Sequence, residues 1–245
     1  MKIDMRFFRL PSFVLIVFYC LSCLTASAWA SDSSRQYFQI QRLQPQLLLT
    51  PPIEGSRAWE KQINEVLREQ QGLSEKEIDA IKNEQRSRIE LMTSVLDPAF
   101  KKELYPKTFA MIDLVAKSTS QIIEADKKFW HTRRPYLTDA RVKLYVDPIN
   151  DSPAYPSGHT TFSRVIAEVL GLLFPEKLEA LRERAKAIAR HRIEAGVHYP
   201  VDIEGGQNLA MLIVGALAAS DDFQADLESA RNEIADRAGI PPQKP

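Results

Sequence analysis

The sequence predicts an all-α protein built as a single helical bundle. Three observations carry that expectation. Only 9 of the 245 residues are glycine, and good helix formers are common. Apolar residues recur at three- and four-residue spacing through much of the chain after residue 56. No stretch alternates apolar and polar residues convincingly, as a half-buried strand would, and no internal repeat is present.

The first thirty residues stand apart. Lys2, Arg6 and Arg9 precede the apolar run from Phe13 to Leu24, and Ala26, Ser27, Ala28 and Ala30 follow it. That order describes a secretory signal peptide over residues 1–30, with cleavage expected after Ala28 or Ala30. The alternative is an uncleaved anchor, because the apolar run approaches the length of a membrane span. Cys20-Leu21-Ser22 is a poor lead-in for a lipid-modified Cys23. Cys20 and Cys23 are the only cysteines. A cleaved chain would hold none, so neither a disulfide framework nor a thiolate metal site is expected. Export without disulfides fits a periplasmic or secreted protein.

Residues 31–56 read as an extended, Pro-rich arm, punctuated by Pro45, Pro51, Pro52 and Gly55. The helical domain is expected over 57–245. Its first helix should run from Ser56 to about Gln71. Ser74 and Glu77 form a capping box, with Leu73 and Ile78 as its hydrophobic staple. Ile78, Ile81, Ile89, Met92 and Val95 then continue at helical spacing, and the charges among them read as a solvated face. A helix over 107–131 carries Ile112, Val115, Ile122 and Ile123 inward, with Pro135 near its end. Residues 136–156 read as a loop. Ser157 caps a helix to about Phe174. Another helix runs from Glu176 to about Ala195, and Gly196 suits its C-terminal side. Pro200 begins a helix to about Ser220, and an amphipathic helix covers roughly 221–238. The run from Leu209 to Ala219 is too short to span a bilayer and reads as a buried core helix.

Composition limits the partners. With 32 basic and 32 acidic residues and no long basic run, nucleic acid is not expected as a partner. No membrane span is expected in the mature chain, and homo-oligomerisation is left open.

Three short segments carry chemistry. The first contains Lys127 and Arg134-Pro135. The second is Pro156-Ser157-Gly158-His159. The third contains Arg192, His198 and Asp202. Singly each is ordinary: cations at a helix end, a capped turn, a local His–Asp pair. Together they suit a phosphate ester. Lys127, Arg134 and Arg192 supply positive charge for the phosphoryl oxygens, and a guanidinium fork meets two oxygens at once. The N–H groups of Gly158 and His159 would open a helix, a natural anion site, and Ser157 adds a hydroxyl. One neutral imidazole can attack phosphorus and another can protonate the leaving oxygen. Asp202 can hold the attacking imidazole in the right tautomer. The set offers no carboxylate cluster, so no metal is expected.

These residues resemble the three-part signature of the type 2 phosphatidic acid phosphatase superfamily: K-x6-R-P, then P-S-G-H, then R-x5-H-x3-D. That superfamily includes bacterial class A non-specific acid phosphatases, glucose-6-phosphatase, lipid phosphatases and vanadium haloperoxidases. Residues 47–56 also resemble the Pro-rich arm of the class A enzymes. The resemblance implies a helical fold of the acid phosphatase/haloperoxidase type. It implies an exported acid phosphatase acting on small phosphorylated substrates, with His198 as nucleophile, forming a phosphohistidine, and His159 as general acid. No cofactor is implied. The alternatives are a haloperoxidase holding vanadate with the same residues, or a soluble phosphatase of lipid phosphates or pyrophosphates. A non-catalytic protein that retains the pocket is disfavoured, because the signature is complete. One position departs: His191 stands where the family usually has Ser. It is expected to pack or face solvent, with an effect on pH optimum or substrate fit as the alternative. His131 is read as structural. Phe129, Trp130, Tyr136, Tyr155 and Tyr199 are the candidate pocket walls.

Overall fold

The computed structural model describes residues 35–39, 43–86, 88–149 and 152–238. The expected signal peptide, with both cysteines, lies outside them. Among the described residues the protein is all-α. The helices are α1 (Arg57–Glu69), α2 (Glu75–Asn83), α3 (Glu90–Thr93), α4 (Pro106–Trp130), α5 (Pro135–Thr138), α6 (Gly158–Leu173), α7 (Leu178–Glu194), α8 (Pro200–Ala218) and α9 (Asp221–Ala238). Single 3-10 turns occupy Pro45–Leu47 and Pro175–Lys177.

Local chemistry sets most boundaries. Ser56 Oγ accepts from the Trp59 N–H at 3.2 Å and starts α1. At α2 the capping box closes both ways: Glu77 N–H donates to Ser74 Oγ at 3.4 Å, and Ser74 N–H to Glu77 Oε2 at 2.8 Å. Pro106 and Pro200 occupy first turns, where no N–H is needed. α7 ends before Gly196, whose φ of +76° is a left-handed conformation that a side chain would strain.

α6 is the central element. It packs against α4, α7 and α8, and Val165, Ile166, Ala167, Val169 and Leu170 are buried within one cluster with Ile112, Val115, Leu181 and Ile213. α9 closes the far side of α4: Glu233 accepts from the N–H groups of Lys107 and Thr108, which open that helix. Tyr37 and Leu48 of the N-terminal segment are buried in the same cluster.

Two expectations are corrected. The periodic stretch from Ile78 to Val95 is not continuous: α2 ends at Asn83 and only one helical turn, α3, follows. Glu84 is the cause. Its side chain is 4% exposed, not solvated, and is held by Arg184 and His191 of α7. Gln85 beside it pairs with the backbone and carboxylate of Asp147. These tertiary contacts outweigh the local preference to continue the helix. In α8 the apolar run is buried on one face only. Leu209, Ala210, Ile213 and Leu217 face the core, while Met211 is 48% exposed. No helix among the described residues is long and apolar enough to cross a membrane.

Candidate active site

α4, α6, α7 and the turn that precedes α8 converge on a cavity of about 240 Å³ lined by Lys127, Arg134, Gly158, His159, Arg192 and His198. These residues are up to 71 positions apart in sequence. Gly206 of α8 explains how the second and third segments meet. A Cβ there would stand 2.8 Å from the Ser157 carbonyl oxygen, so only glycine permits this approach. The Ser157 N–H correspondingly donates to the Asp202 carbonyl at 2.9 Å.

His198 is buried, 2% exposed, and hydrogen-bonded through both ring nitrogens. Arg134 Nη1 lies 3.3 Å from Nε2, and Asp202 Oδ2 lies 3.2 Å from Nδ1. A guanidinium only donates, so Nε2 accepts and Nδ1 carries the proton that Asp202 takes. The Tyr199 N–H also donates to Asp202 Oδ2, at 2.8 Å, which fixes the carboxylate. Burial, and then Arg134, Lys127, His159 and Arg192, hold His198 well below its usual value. The ring is therefore neutral, with its lone pair on Nε2.

The cations are buried with it. Arg134 donates from Nε to Ser152 O at 2.9 Å, from Nη1 to Val197 O at 2.9 Å, and from Nη2 to Pro153 O at 3.3 Å. Lys127 Nζ donates to the carbonyls of Pro153 and, at 3.2 Å, Ala154. Arg192 donates from Nη2 to Ile81 O at 3.0 Å, while its buried Nε has no hydrogen-bond partner. Burial pushes Lys127 down and Asp202 up, and their mutual attraction opposes both shifts. Burial also lowers Arg192, to about 10. Three basic side chains desolvated around one small cavity are chemically suited to an anion.

His159 lies across the cavity. Its Nε2 is 3.1 Å from the Gln85 carbonyl oxygen, an acceptor only, so Nε2 carries a proton. Burial, followed by the charge of Arg192, lowers its pKa to about 3, while the backbone of Gln85 and Glu84 acts in the opposite sense.

Ser157 serves the turn. It is fully buried, caps α6, and accepts at Oγ from Thr160 Oγ1 at 2.9 Å, behind the cavity. Asp202 likewise stands behind His198. Gly158 and His159 are the first two residues of α6.

The five candidate wall aromatics do not line this cavity. Trp130 and Tyr199 line another, of about 360 Å³, with Trp59, Pro51, Pro52 and His131. Tyr155 is buried and donates to Leu49 O, and the Tyr136 hydroxyl accepts from the Ile149 N–H. The observed walls are Ser120, Ile123, Glu124, Ile149, Ser152, Phe162 and Val197. Part of this had a signal in the sequence. Ser120, Ile123 and Glu124 lie seven, four and three residues before Lys127, on its face of α4, and Phe162 lies three after His159. Trp130 is three residues after Lys127 but points to the other cavity. His191 neither packs in the core nor points to solvent: its Nδ1 is 2.7 Å from Glu84 Oε2.

The PAP2 superfamily model matches residues 109–224. An acid phosphatase of Zymomonas mobilis subsp. mobilis is 32% identical over 111 residues, 44% of this chain and 42% of that protein. A non-specific acid phosphatase of Salmonella typhi is 26% identical over 139 residues, 55% of this chain and 56% of that protein. The chain thus matches about half the length of these relatives. A crystal structure of a transmembrane PAP2-type phosphatidylglycerolphosphate phosphatase from Bacillus subtilis aligns at 15% identity and a TM-score of 0.44, over 66% of this chain and 85% of that one. The family match spans α4 to the start of α9 and contains every residue of the cation and histidine cavity, and over that span the chain is similar to the PAP2 superfamily.

Proposed function

We propose that this chain is an exported acid phosphatase that hydrolyses small phosphate monoesters through a phosphohistidine on His198. The observation that carries this reading is the setting of His198. A neutral, buried imidazole has its lone-pair nitrogen on the cavity side, its other nitrogen on a carboxylate, and three cations around it. Nε2 attacks phosphorus, the bond to the leaving oxygen breaks, and Arg134 passes from Nε2 to a phosphoryl oxygen. Lys127, Arg192 and the N-terminal N–H groups of α6 take the remaining charge. His159 gives its proton to the leaving oxygen, then takes one from the water that attacks the phosphohistidine, releasing inorganic phosphate. In the empty cavity burial and Arg192 keep His159 neutral; a phosphate anion between them favours the imidazolium and so arms the acid.

Three buried cations repel a divalent ion, so this chemistry proceeds without a metal and survives EDTA. Vanadate, which adopts the five-coordinate geometry of the reacting phosphorus, inhibits it. The test is acid-quenched turnover of a labelled monoester. Label is expected on His198 and absent from His198→Ala. Label on His159, or retained by His198→Ala, overturns the assignment, and loss of activity on chelation overturns metal independence. N-terminal sequencing of the expressed protein tests export: a start at Trp29 or Ser31 supports it, and an intact Met1 on membrane-bound protein refutes it.

A further inference from the structure

His191 stands beside Arg192 but makes no contact with the anion cavity. Its Nδ1 donates to Glu84 Oε2 at 2.7 Å, and Arg184 Nη1 meets Glu84 Oε1 at 2.6 Å. Both carboxylate oxygens of Glu84 are therefore held from α7, in a side chain only 4% exposed. Glu84 is the first residue beyond α2, where the chain leaves the helix. The next residue, Gln85, turns its carbonyl oxygen to His159 Nε2. The Glu84 backbone adds to the same hold on the His159 ring, so both contacts come from the residues that His191 anchors. The three short steps connect His191 to His159 although the two side chains do not touch.

We propose that His191 is a positioning residue for the leaving-group chemistry: by gripping Glu84 it presents the Gln85 carbonyl to His159 and so fixes the proton on Nε2, with Nδ1 left for the cavity. This rests on the phosphatase reading for its kinetic consequence, not for its structural one. The Gln85 carbonyl also steadies the second proton. An imidazolium donates more strongly to a carbonyl than a neutral ring does, so this contact favours the armed form against burial and Arg192. Arg192 shares the arrangement, since its Nη2 donates to Ile81 O one turn earlier on α2. The end of α2 is thus pinned at its Ile81 carbonyl and at the Glu84 carboxylate, and what it offers the site is a backbone oxygen.

The test uses His191→Ala and His191→Asn in the full chain. An asparagine amide places an N–H close to where Nδ1 stands and preserves the donor. The first readout is the ring-nitrogen NMR shifts of His159 without substrate. Wild type and His191→Asn should show a single Nε2–H tautomer, and His191→Ala an exchanging mixture. The second is kcat for an alkyl phosphate against 4-nitrophenyl phosphate. In His191→Ala the alkyl ester should lose about tenfold or more beyond the aryl ester, with KM changed about twofold or less, because only the poor leaving group depends on the acid. His191→Asn should restore the ratio. An unchanged tautomer in His191→Ala, an equal loss on both esters, or no rescue by asparagine overturns the proposal. If wild type hydrolyses neither ester, the phosphatase reading fails and the NMR shifts still decide the link. Should His191→Ala not fold, Glu84→Gln keeps the side-chain volume, removes the carboxylate and gives the same ring-shift test.

Discussion

The two histidines of the cavity are secured in opposite ways. His198 takes its orientation from Asp202, four residues on, and from Arg134, itself tied to Val197 next to it. His159 depends on a backbone carbonyl 74 residues earlier, just beyond the end of α2, held there by side chains of α7. The His198 side is thus set mainly by a local helix start, with one guanidinium from afar, and the His159 side by an agreement among three distant segments. Local arrangements survive perturbation elsewhere in a fold; long-range ones are more easily tuned and more easily lost.

Several substitutions sharpen that contrast. Asp202→Asn should have the largest effect, a loss of turnover on the order of a thousand- to ten-thousandfold, because the amide reverses the tautomer preference of His198. Steady-state kinetics and phosphoenzyme trapping check it, and both esters should suffer alike. His159→Ala should cost roughly a hundred- to ten-thousandfold with alkyl phosphates and much less with 4-nitrophenyl phosphate. Equal losses for the two leaving groups would erase the distinction between the sides. Gly206→Ala should destabilise the protein by about 1–3 kcal/mol in a denaturant titration, since the added Cβ presses on the Ser157 carbonyl and strains the junction of α6 and α8.

The smallest effects are in pH dependence, and they have opposite signs on the two sides. Asp126, next to Lys127 on α4, is buried with both carboxyl oxygens unpartnered, and burial pushes it from 3.8 up to about 7. A raised carboxyl contributes stability while protonated and loses it as pH rises from about 4 to about 7. Asp126→Asn should remove that slope from melting curves. Glu84 is buried too, a condition that by itself raises a carboxyl, but His191 and Arg184 outweigh burial and hold it below 4.5. Its contribution is present above 4.5 and falls away as pH drops through its lowered value. Glu84→Gln should flatten the acid limb and lower stability across the neutral range without changing the slope there.

How much of this was legible in the sequence follows the same division. Ser56, Ser74, Ser157, Pro200 and Gly196 act on their own neighbours, so the starts and stops they mark were open to reading before any tertiary structure was known. The convergence of Lys127, Arg134, His159, Arg192 and His198 was legible only because three motifs stood in order; no single one implied it. The break after Asn83 was not legible. Glu84 looks like one more surface charge until Arg184 and His191 are brought to it, and a backbone carbonyl such as that of Gln85 leaves no mark in the residue type. The aromatic walls could not be placed from sequence position: Trp130 and Ile123 are seven residues apart on the same face of α4, yet Ile123 lines this cavity and Trp130 the other.

Lys127, Arg134 and Arg192 line one small cavity, where burial and the charge of Arg134 outweigh the neighbouring carboxylates and hold Lys127 and Arg192 below their usual values. Four of the five N–H groups of Arg134 are already directed at chain oxygens or at His198, as are two of the three on Lys127. An incoming oxyanion therefore finds positive charge already held in place, with Arg134 having only to turn from His198, and it offsets part of the repulsion among the cations. Relief of that kind appears as heat resistance. At a hundredfold excess over its dissociation constant, phosphate or vanadate should add about 2.7 kcal/mol to the folded state. Either anion would then serve as a protectant in storage and as a handle for purification by a heat step, independent of any assay of turnover.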